Sequence, residues 1–279
     1  MLYRDYLDQL ERAARLADLR QSEYGSVEEL GRSWPLLKLQ SEGRVRLIIT
    51  AGFHGEEPAG PLTCLHHLEE ISAYARARDV GLTLYPCINP SGFEAGHRYN
   101  ASGEQPNNDF LRYELASGAI KGELAAGEAF ARWFLYDGGP KETRAVRADL
   151  ERSPTPHAAI DLHQDAWVRR PCHYAYIFGP RAPFQELVRR TIPFAKAAVH
   201  LQVYENKLTD ECGLIVDHDG SVSDYFRRRG TRWVVTLETS TATPIERSTQ
   251  VNLLWVKAFV DFAAGEPTVT PASSSPPAP

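Results

Sequence analysis

Residues 50–60 read TAGFHGEEPAG, which sets His54 and Glu57 three apart between glycines, directly after an aliphatic run. An imidazole and a carboxylate on one short turn suit a divalent cation, but the same pair also occurs in a plain strand-to-helix turn. Two more polar residues close apolar runs, His163 at the end of AAIDLH and Glu238 at the end of WVVTLE. Zinc in a hydrolytic site takes three protein ligands, commonly two His and one Glu, and keeps a position open. His54, Glu57 and His163 supply that set for one zinc ion, two from a single turn and the third from a separate strand end. Glu238 is then the expected base, taking a proton from the attacking water and returning it to the leaving amine. A carboxylate that ends a strongly apolar strand is costly unless it is paired or used. Taken singly, His163 also reads as a satisfied core histidine and Glu238 as a cap; their position at successive strand ends favours the site. His66, His67, His97, His157, His173 and His200 lack such company and read as structural or surface residues.

The elements that must position these residues follow from periodicity. Asp5 to Leu19 has helical spacing, and Arg44 to Ala51 and Gly81 to Ile88 are short aliphatic runs that read as covered strands. Pro61 to Arg78 between them reads as a helix, as do Gly122 to Tyr136, Pro183 to Val199 and Val251 to Ala264. Ala158 to His163, Cys172 to Phe178 and Trp233 to Leu237 read as strands. The alternation predicts a single α/β domain over residues 1–265, built on a mixed, mostly parallel twisted sheet with helices on both faces. In such a sheet ligands bind beyond the carboxyl ends of the strands, where the four polar residues fall. Asn89 to Leu111 reads as a long functional loop. Residues 266–279, rich in Pro and Ser, read as a disordered tail.

With 43% hydrophobic residues, 24% charged residues and a net charge of -5, the 279-residue chain has a globular composition. That balance excludes a nucleic-acid-binding face, which would be basic, and Arg227 to Arg229 read as a solvated helix end. The N-terminal residues lack the apolar core of a signal peptide, and no run reaches eighteen apolar residues, so no membrane partner is expected. Four dispersed cysteines without a CxxC pair read as free thiols of a cytoplasmic protein. Asn100-Ala101-Ser102 matches a glycosylation acceptor, which matters only in a secreted chain.

In this arrangement the sequence resembles the zinc carboxypeptidase family, the M14 metallopeptidases, together with the related succinylglutamate desuccinylase and aspartoacylase group. The residues that carry the resemblance are the HxxE pair His54 and Glu57, the distant His163, and Thr236-Leu237-Glu238. The loop adds Asn89-Pro90-Ser91-Gly92 and RYNASGEQPNNDF from Arg98 to Phe110, and GSVSDYFRRRG adds Ser223 and Asp224. The match runs in order from about Arg44 to Glu238. It implies that Arg98 stabilises the oxyanion beside the metal, that Asn107 helps hold a substrate carboxylate, and that Asn108, Glu56 and Ser223 line the substrate site.

Departures from the family pattern bear on substrate. Asn108 stands where the family has the arginine that clamps a terminal carboxylate, and an amide does not replace a bidentate guanidinium contact. The position of the mobile family tyrosine falls on Val216, with His218 nearby as a substitute. Glu56 occupies an arginine position, which suits a cationic or amino group. Gln105 replaces the aspartate that orients the first histidine, and its amide oxygen can accept the same hydrogen bond. Asp161, two before His163, projects to the same side of its strand and could support the metal shell; Asp165 is a second candidate for that role, read first as a solvated loop acid. Arg112, Arg169 and Arg170 are candidates for a displaced carboxylate anchor, each also readable as a surface charge. The expected function is zinc-dependent hydrolysis of an amide bond in a small peptide, carboxypeptidase-like. The alternatives are an N-acyl amino acid deacylase of the desuccinylase type and a non-catalytic ligand-binding protein on the same fold.

Overall fold

The computed structural model describes residues 1–203 and 207–265; the expected Pro- and Ser-rich tail lies outside them. In chain order the elements are α1 Tyr3–Leu16, β1 Arg20–Glu29, β2 Arg32–Gln40, β3 Val45–Ala51, α2 Ala59–His66, α3 Leu68–Arg76 and β4 Val80–Tyr85. Then come α4 Pro90–Ala95, β5 Leu111–Glu114, β6 Ile120–Lys121, β7 Arg132–Leu135, α5 Lys141–Glu151, β8 Ala158–Asp165 and β9 Cys172–Phe178. The last are α6 Arg181–Thr191, β10 Lys196–Ala197, β11 Leu214–Ile215, α7 Val222–Arg228, β12 Trp233–Ser240 and α8 Ile245–Ala264.

The main sheet runs β1-β2-β4-β3-β8-β12-β9-β10, with β11 also on β9, and β5, β6 and β7 form a separate small sheet. Its centre, β4-β3-β8-β12, is parallel, while β1-β2, β2-β4 and β12-β9 pair antiparallel. Period two divides the central strands between two cores. Leu47, Ile49, Ile160, Leu162, Val235 and Leu237 face one core with α1, α2, α3 and α8, whereas Ile48, Ala159 and Val234 face the other with α5 and α7. Asp161 and His163 continue the phase of Ala159, and Thr236 and Glu238 that of Val234. All four therefore stand on the α5/α7 face, at the carboxyl end of the sheet.

Several elements differ from their sequence reading. Gly122 to Tyr136 is not a helix: Gly127 takes φ 75, and Arg132–Leu135 instead pairs with Leu111–Glu114. Its alanines favour a helix, but only Leu124 is buried there, so no apolar stripe pays the cost of forming one. The helix expected over Pro61 to Arg78 is broken at His67 (φ -114, ψ 12). The one expected over Pro183 to Val199 ends at Thr191, and the last helix starts six residues earlier than Val251. The hairpin β1-β2 and helix α5 were not expected. The hairpin turns on Leu30 and Gly31, both at positive φ, and its residues are mostly outside the core, so it carries little apolar signal. Arg228 and Arg229 are half-buried rather than a solvated end: Arg228 bonds to the Tyr113 phenol, and Arg229 to Leu150 O and Tyr225.

Candidate active site

His54 and Glu57 sit on the turn between β3 and α2, and the NPSG turn at the start of α4 is built to receive it. A Cβ on Gly55 would lie 1.9 Å from the Gly92 carbonyl carbon, so the two backbones meet where only glycine fits. Asn89 caps α4 by accepting the Gly92 N–H at 2.9 Å. Its amide donates to Phe53 O at 3.1 Å and to Arg98 O at 3.3 Å. One asparagine thus ties the His54 turn to the Arg98 segment.

The carboxylate of Glu57, 3% exposed, lies between two buried imidazoles. Its Oε1 is 2.7 Å from His54 Nδ1 and its Oε2 is 2.8 Å from His163 Nδ1. Ligand atoms of these three residues all lie within 4.8 Å of one another. His163 Nε2 is 2.9 Å from Asp161 Oδ2, and Asp161 Oδ1 accepts from Thr50 Oγ1 at 2.7 Å. With Nε2–H committed to Asp161, a neutral His163 would point an Nδ1 lone pair at a carboxylate lone pair. A positive charge must sit between them, either a proton or a metal cation. Burial lowers the His163 pKa, but Asp161 and Glu57 outweigh it and raise it well above its ordinary value. Burial also pushes Glu57 up, and the two imidazoles still hold it well below the usual carboxylate range. The donor set of two nitrogens and a carboxylate, converging and buried, fits zinc.

Register places the remaining groups. β12 pairs with β8 so that Glu238 lies beside His163, and with β9 so that Tyr174 lies on the other side of Glu238. Among the described residues the buried Oε2 of Glu238 has no hydrogen-bond partner. Burial raises its pKa well above the ordinary value, with His163 pulling the other way. A carboxyl held in this manner is suited to taking up a proton. Arg98 Nη1 is 3.1 Å from Glu57 Oε1 and 3.5 Å from Glu56 Oε1. Asn107, at φ 113, accepts the Val222 N–H at 3.3 Å through Oδ1, which turns its Nδ2 toward His163 Nε2, 3.3 Å away. The Asn107 backbone N–H is held by Thr143 Oγ1 of α5 at 3.2 Å.

These residues line a cleft of about 200 Å³ that contains His54, Glu57, Arg98, Asn107, Asn108, His163, Ser223 and Glu238. Glu56 is not among its lining residues, its carboxylate lying toward Arg98. Gln105 lines the cleft, but among the described residues His54 Nε2 has no hydrogen-bond partner, so the expected bond from His54 to the Gln105 amide oxygen is not made. His218 is paired with Asp224 and does not line the cleft, and Val216 is exposed. Asp165 is 5% exposed rather than solvated, because it accepts the Tyr174 hydroxyl and two backbone N–H groups. Asp224 is fully buried and serves as a hub for Tyr113, Gly220 and His218. Asn100 is 4% exposed and bonded to Glu142, which leaves no room for a glycan.

Residues missed in the sequence also line the cleft: Tyr174 and Tyr176 of β9, Glu123, Lys207, Asp217 and Asp219. Tyr174 and Tyr176 alternate at period two in CHYAYIF, but placing them required knowing that β9 pairs with β12.

Comparison with known proteins accords with this geometry. The succinylglutamate desuccinylase/aspartoacylase catalytic domain matches residues 44–133, which include His54, Glu57, Arg98 and Asn107. A protein from Shewanella amazonensis SB2B provisionally named a metallopeptidase superposes with a TM-score of 0.72 at 25% identity, covering 94% of this chain and 93% of that one. The chain has the zinc carboxypeptidase-like fold. A metallo-carboxypeptidase from Burkholderia cenocepacia superposes at 0.63 and 16% identity, covering 91% of this chain and 67% of that one. Bovine thrombin-activatable fibrinolysis inhibitor, solved with a tick carboxypeptidase inhibitor, superposes at 0.62 and 16% identity over 95% and 97%. In sequence, Carboxypeptidase 2 of Trichophyton rubrum is 26% identical over 176 residues, 58% of this chain but 27% of that longer protein. The resemblance to the zinc carboxypeptidases and their desuccinylase relatives therefore holds, and the chain is metallohydrolase-like in sequence and fold.

Proposed function

We propose that the chain is a zinc-dependent hydrolase that cleaves an amide bond in a small peptide. The observation that carries this reading is the buried His54–Glu57–His163 cluster, with Glu238 next to His163 in register. One zinc ion held by those three residues would supply Lewis acidity and a more acidic water. Glu238 takes the proton of the attacking water on its unpartnered Oε2 and passes it to the leaving nitrogen. Arg98, fixed beside the cluster by Glu57 and Asn89, offers a guanidinium to the developing oxyanion. Asn107, which lines the cleft, is the proposed amide that orients the substrate, with Asn108 and Ser223 as its proposed neighbours, while Glu56, outside the cleft lining, bears on substrate binding through its contact with Arg98. The four cysteines are free thiols, which supports a cytoplasmic location, and no described helix is long and apolar enough to cross a membrane.

A second reading, an N-acyl amino acid deacylase, is favoured by the desuccinylase-type match over residues 44–133 and by the amide of Asn108 where a carboxylate clamp is expected. Substrate separates the two: dipeptides with a free carboxyl terminus against N-acetyl and N-succinyl amino acids, each followed by amino-acid release. A preference of about tenfold or more in kcat/KM decides between them. Turnover of neither series by the zinc-loaded chain contradicts both and leaves the non-catalytic alternative.

A further inference from the structure

Helix α5 grips the segment that leads into the cleft at three points. Glu142 Oε2 accepts the Asn100 amide at 3.0 Å, Thr143 Oγ1 accepts the Asn107 N–H at 3.2 Å, and Arg147 donates to Asp109 O at 3.0 Å. The helix is itself fixed from behind, with Val146 and Leu150 buried in the core shared with α7. Asn107 needs such a grip. Its φ of 113 lies where L side chains rarely go, and a residue keeps such a conformation only when its surroundings over-determine it. Two hydrogen bonds do so, its N–H to Thr143 and the Val222 N–H to its Oδ1. Thr143 is fully buried and does not line the cleft, so its hydroxyl acts on the site through Asn107. At the other end, Asn100 Oδ1 accepts the N–H groups of Ser102 at 3.1 Å and Glu104 at 2.8 Å, while its Nδ2 donates to Glu142 and, at 3.3 Å, to Glu104 Oε2. The Ala101 N–H is shared by Ser91 Oγ of α4 at 2.9 Å and Glu29 Oε2 of β1 at 3.2 Å. Glu142 is therefore enclosed by Asn100 and Glu104 of the segment and by Glu29 and Tyr24 of β1, while its neighbour Lys141 is turned away to Glu28 O. Among the described residues the buried Oε1 atoms of Glu142 and Glu29 have no hydrogen-bond partner. Burial above all keeps the Glu142 proton on up to about pH 7; Glu29 and Glu104 add to it, against its own backbone N–H and the Asn100 amide.

We propose that the first turn of α5 is a proton-controlled clamp on residues 100–107, in which Thr143 positions Asn107 for the cleft and Glu142 keeps the clamp shut while it carries a proton. Loss of that proton leaves an anion buried beside Glu29 and Glu104, and opening of the turn hydrates it. In the opened turn the carboxyl returns to its ordinary value of 4.5, so opening becomes more favourable as pH rises from about 4.5 to about 7 and levels off above. What Asn107 does once it is held rests on the hydrolase reading, but the clamp can be tested without turnover.

The experiment is hydrogen exchange of residues 98–108 in the full chain, read by mass spectrometry at about pH 5, 7 and 8.5 and corrected for intrinsic rates. Wild type should exchange about tenfold or more faster at the middle pH than at the lowest, with little further change at the highest. Glu142→Gln should remove most of that rise. Both chains lose any metal alike at low pH, so the difference between them belongs to Glu142. Thr143→Val keeps the shape and removes the acceptor; at the lowest pH it should speed exchange of the segment about fivefold or more, and Thr143→Ser should behave as wild type. The same rise in wild type and Glu142→Gln, or unchanged exchange in Thr143→Val, overturns the clamp. On an amide substrate, Thr143→Val should raise KM about fivefold or more and leave kcat within about twofold, because Asn107 is proposed to hold the substrate while Glu238 moves the proton. If amides are hydrolysed and KM does not move, Thr143 does not position Asn107 for the cleft, and the hydrolase reading stands without the clamp. If exchange behaves as expected but no amide is cleaved, the clamp stands and the hydrolase reading falls.

Discussion

His163 faces a carboxylate at each ring nitrogen, Glu57 at Nδ1 and Asp161 at Nε2, so a positive charge must sit among them, and that requirement organises the residues around it. Asp161 fixes the ring of His163, and Glu238 stands beside it with one oxygen unpartnered. If Glu238 only moves protons, Glu238→Gln should leave zinc content unchanged while lowering kcat by roughly 10² to 10⁴; loss of zinc with activity would instead make it a structural support. A second buried carboxyl offers a test through stability. Glu142 of α5 is fully buried, and burial pushes its pKa up to about 7, opposed by its own backbone N–H and the Asn100 amide. The folded chain keeps this proton up to about pH 7, whereas the unfolded chain releases it near 4.5. The contribution to stability is thus complete below about 4.5 and is lost as pH rises to 7. Glu142→Gln should remove that loss, flattening the fall in unfolding free energy between pH 5 and 8 by up to about 3 kcal/mol. Urea unfolding at the two pH values reads it, and an unchanged slope contradicts it.

At the scale of elements, the turn after β3 and the start of α4 act as one piece, joined by Asn89 and by the contact of Gly55 with Gly92. Gly55→Ala should therefore shift both backbones, costing about 1 to 3 kcal/mol of stability and lowering zinc affinity as the His54 turn moves. A variant with wild-type Tm and zinc affinity would show that the close approach is not required. The HxxE pair was legible from its own residue types and spacing after a strand, whereas NPSG and Arg98 were reached through the family resemblance. The central strands were legible as well, through their aliphatic runs. The β1-β2 hairpin was not, since its residues lie largely outside the core, and the alanine-rich stretch around Gly127 misled because helix propensity is weak beside tertiary pairing. Val216 and His218 could be located only by counting, and counting along the chain cannot show that Tyr174 and Tyr176 enter the cleft from a different strand.

For the whole molecule, function depends on register between segments far apart in the chain. The row His163–Glu238–Tyr174 exists because β12 lies between β8 and β9, parallel to one and antiparallel to the other. Residues at strand ends could be collected from the sequence, but their mutual distances could not, because pairing is settled by the packing of both sheet faces against helices. The same packing buries Glu57 and the two histidines together and makes their cluster the central claim. The most direct test is metal analysis of the purified full chain beside Glu57→Ala and His163→Ala. The account predicts about one zinc per wild-type chain and little in either variant, with all three folded by circular dichroism. Equal metal content in wild type and both variants would contradict it.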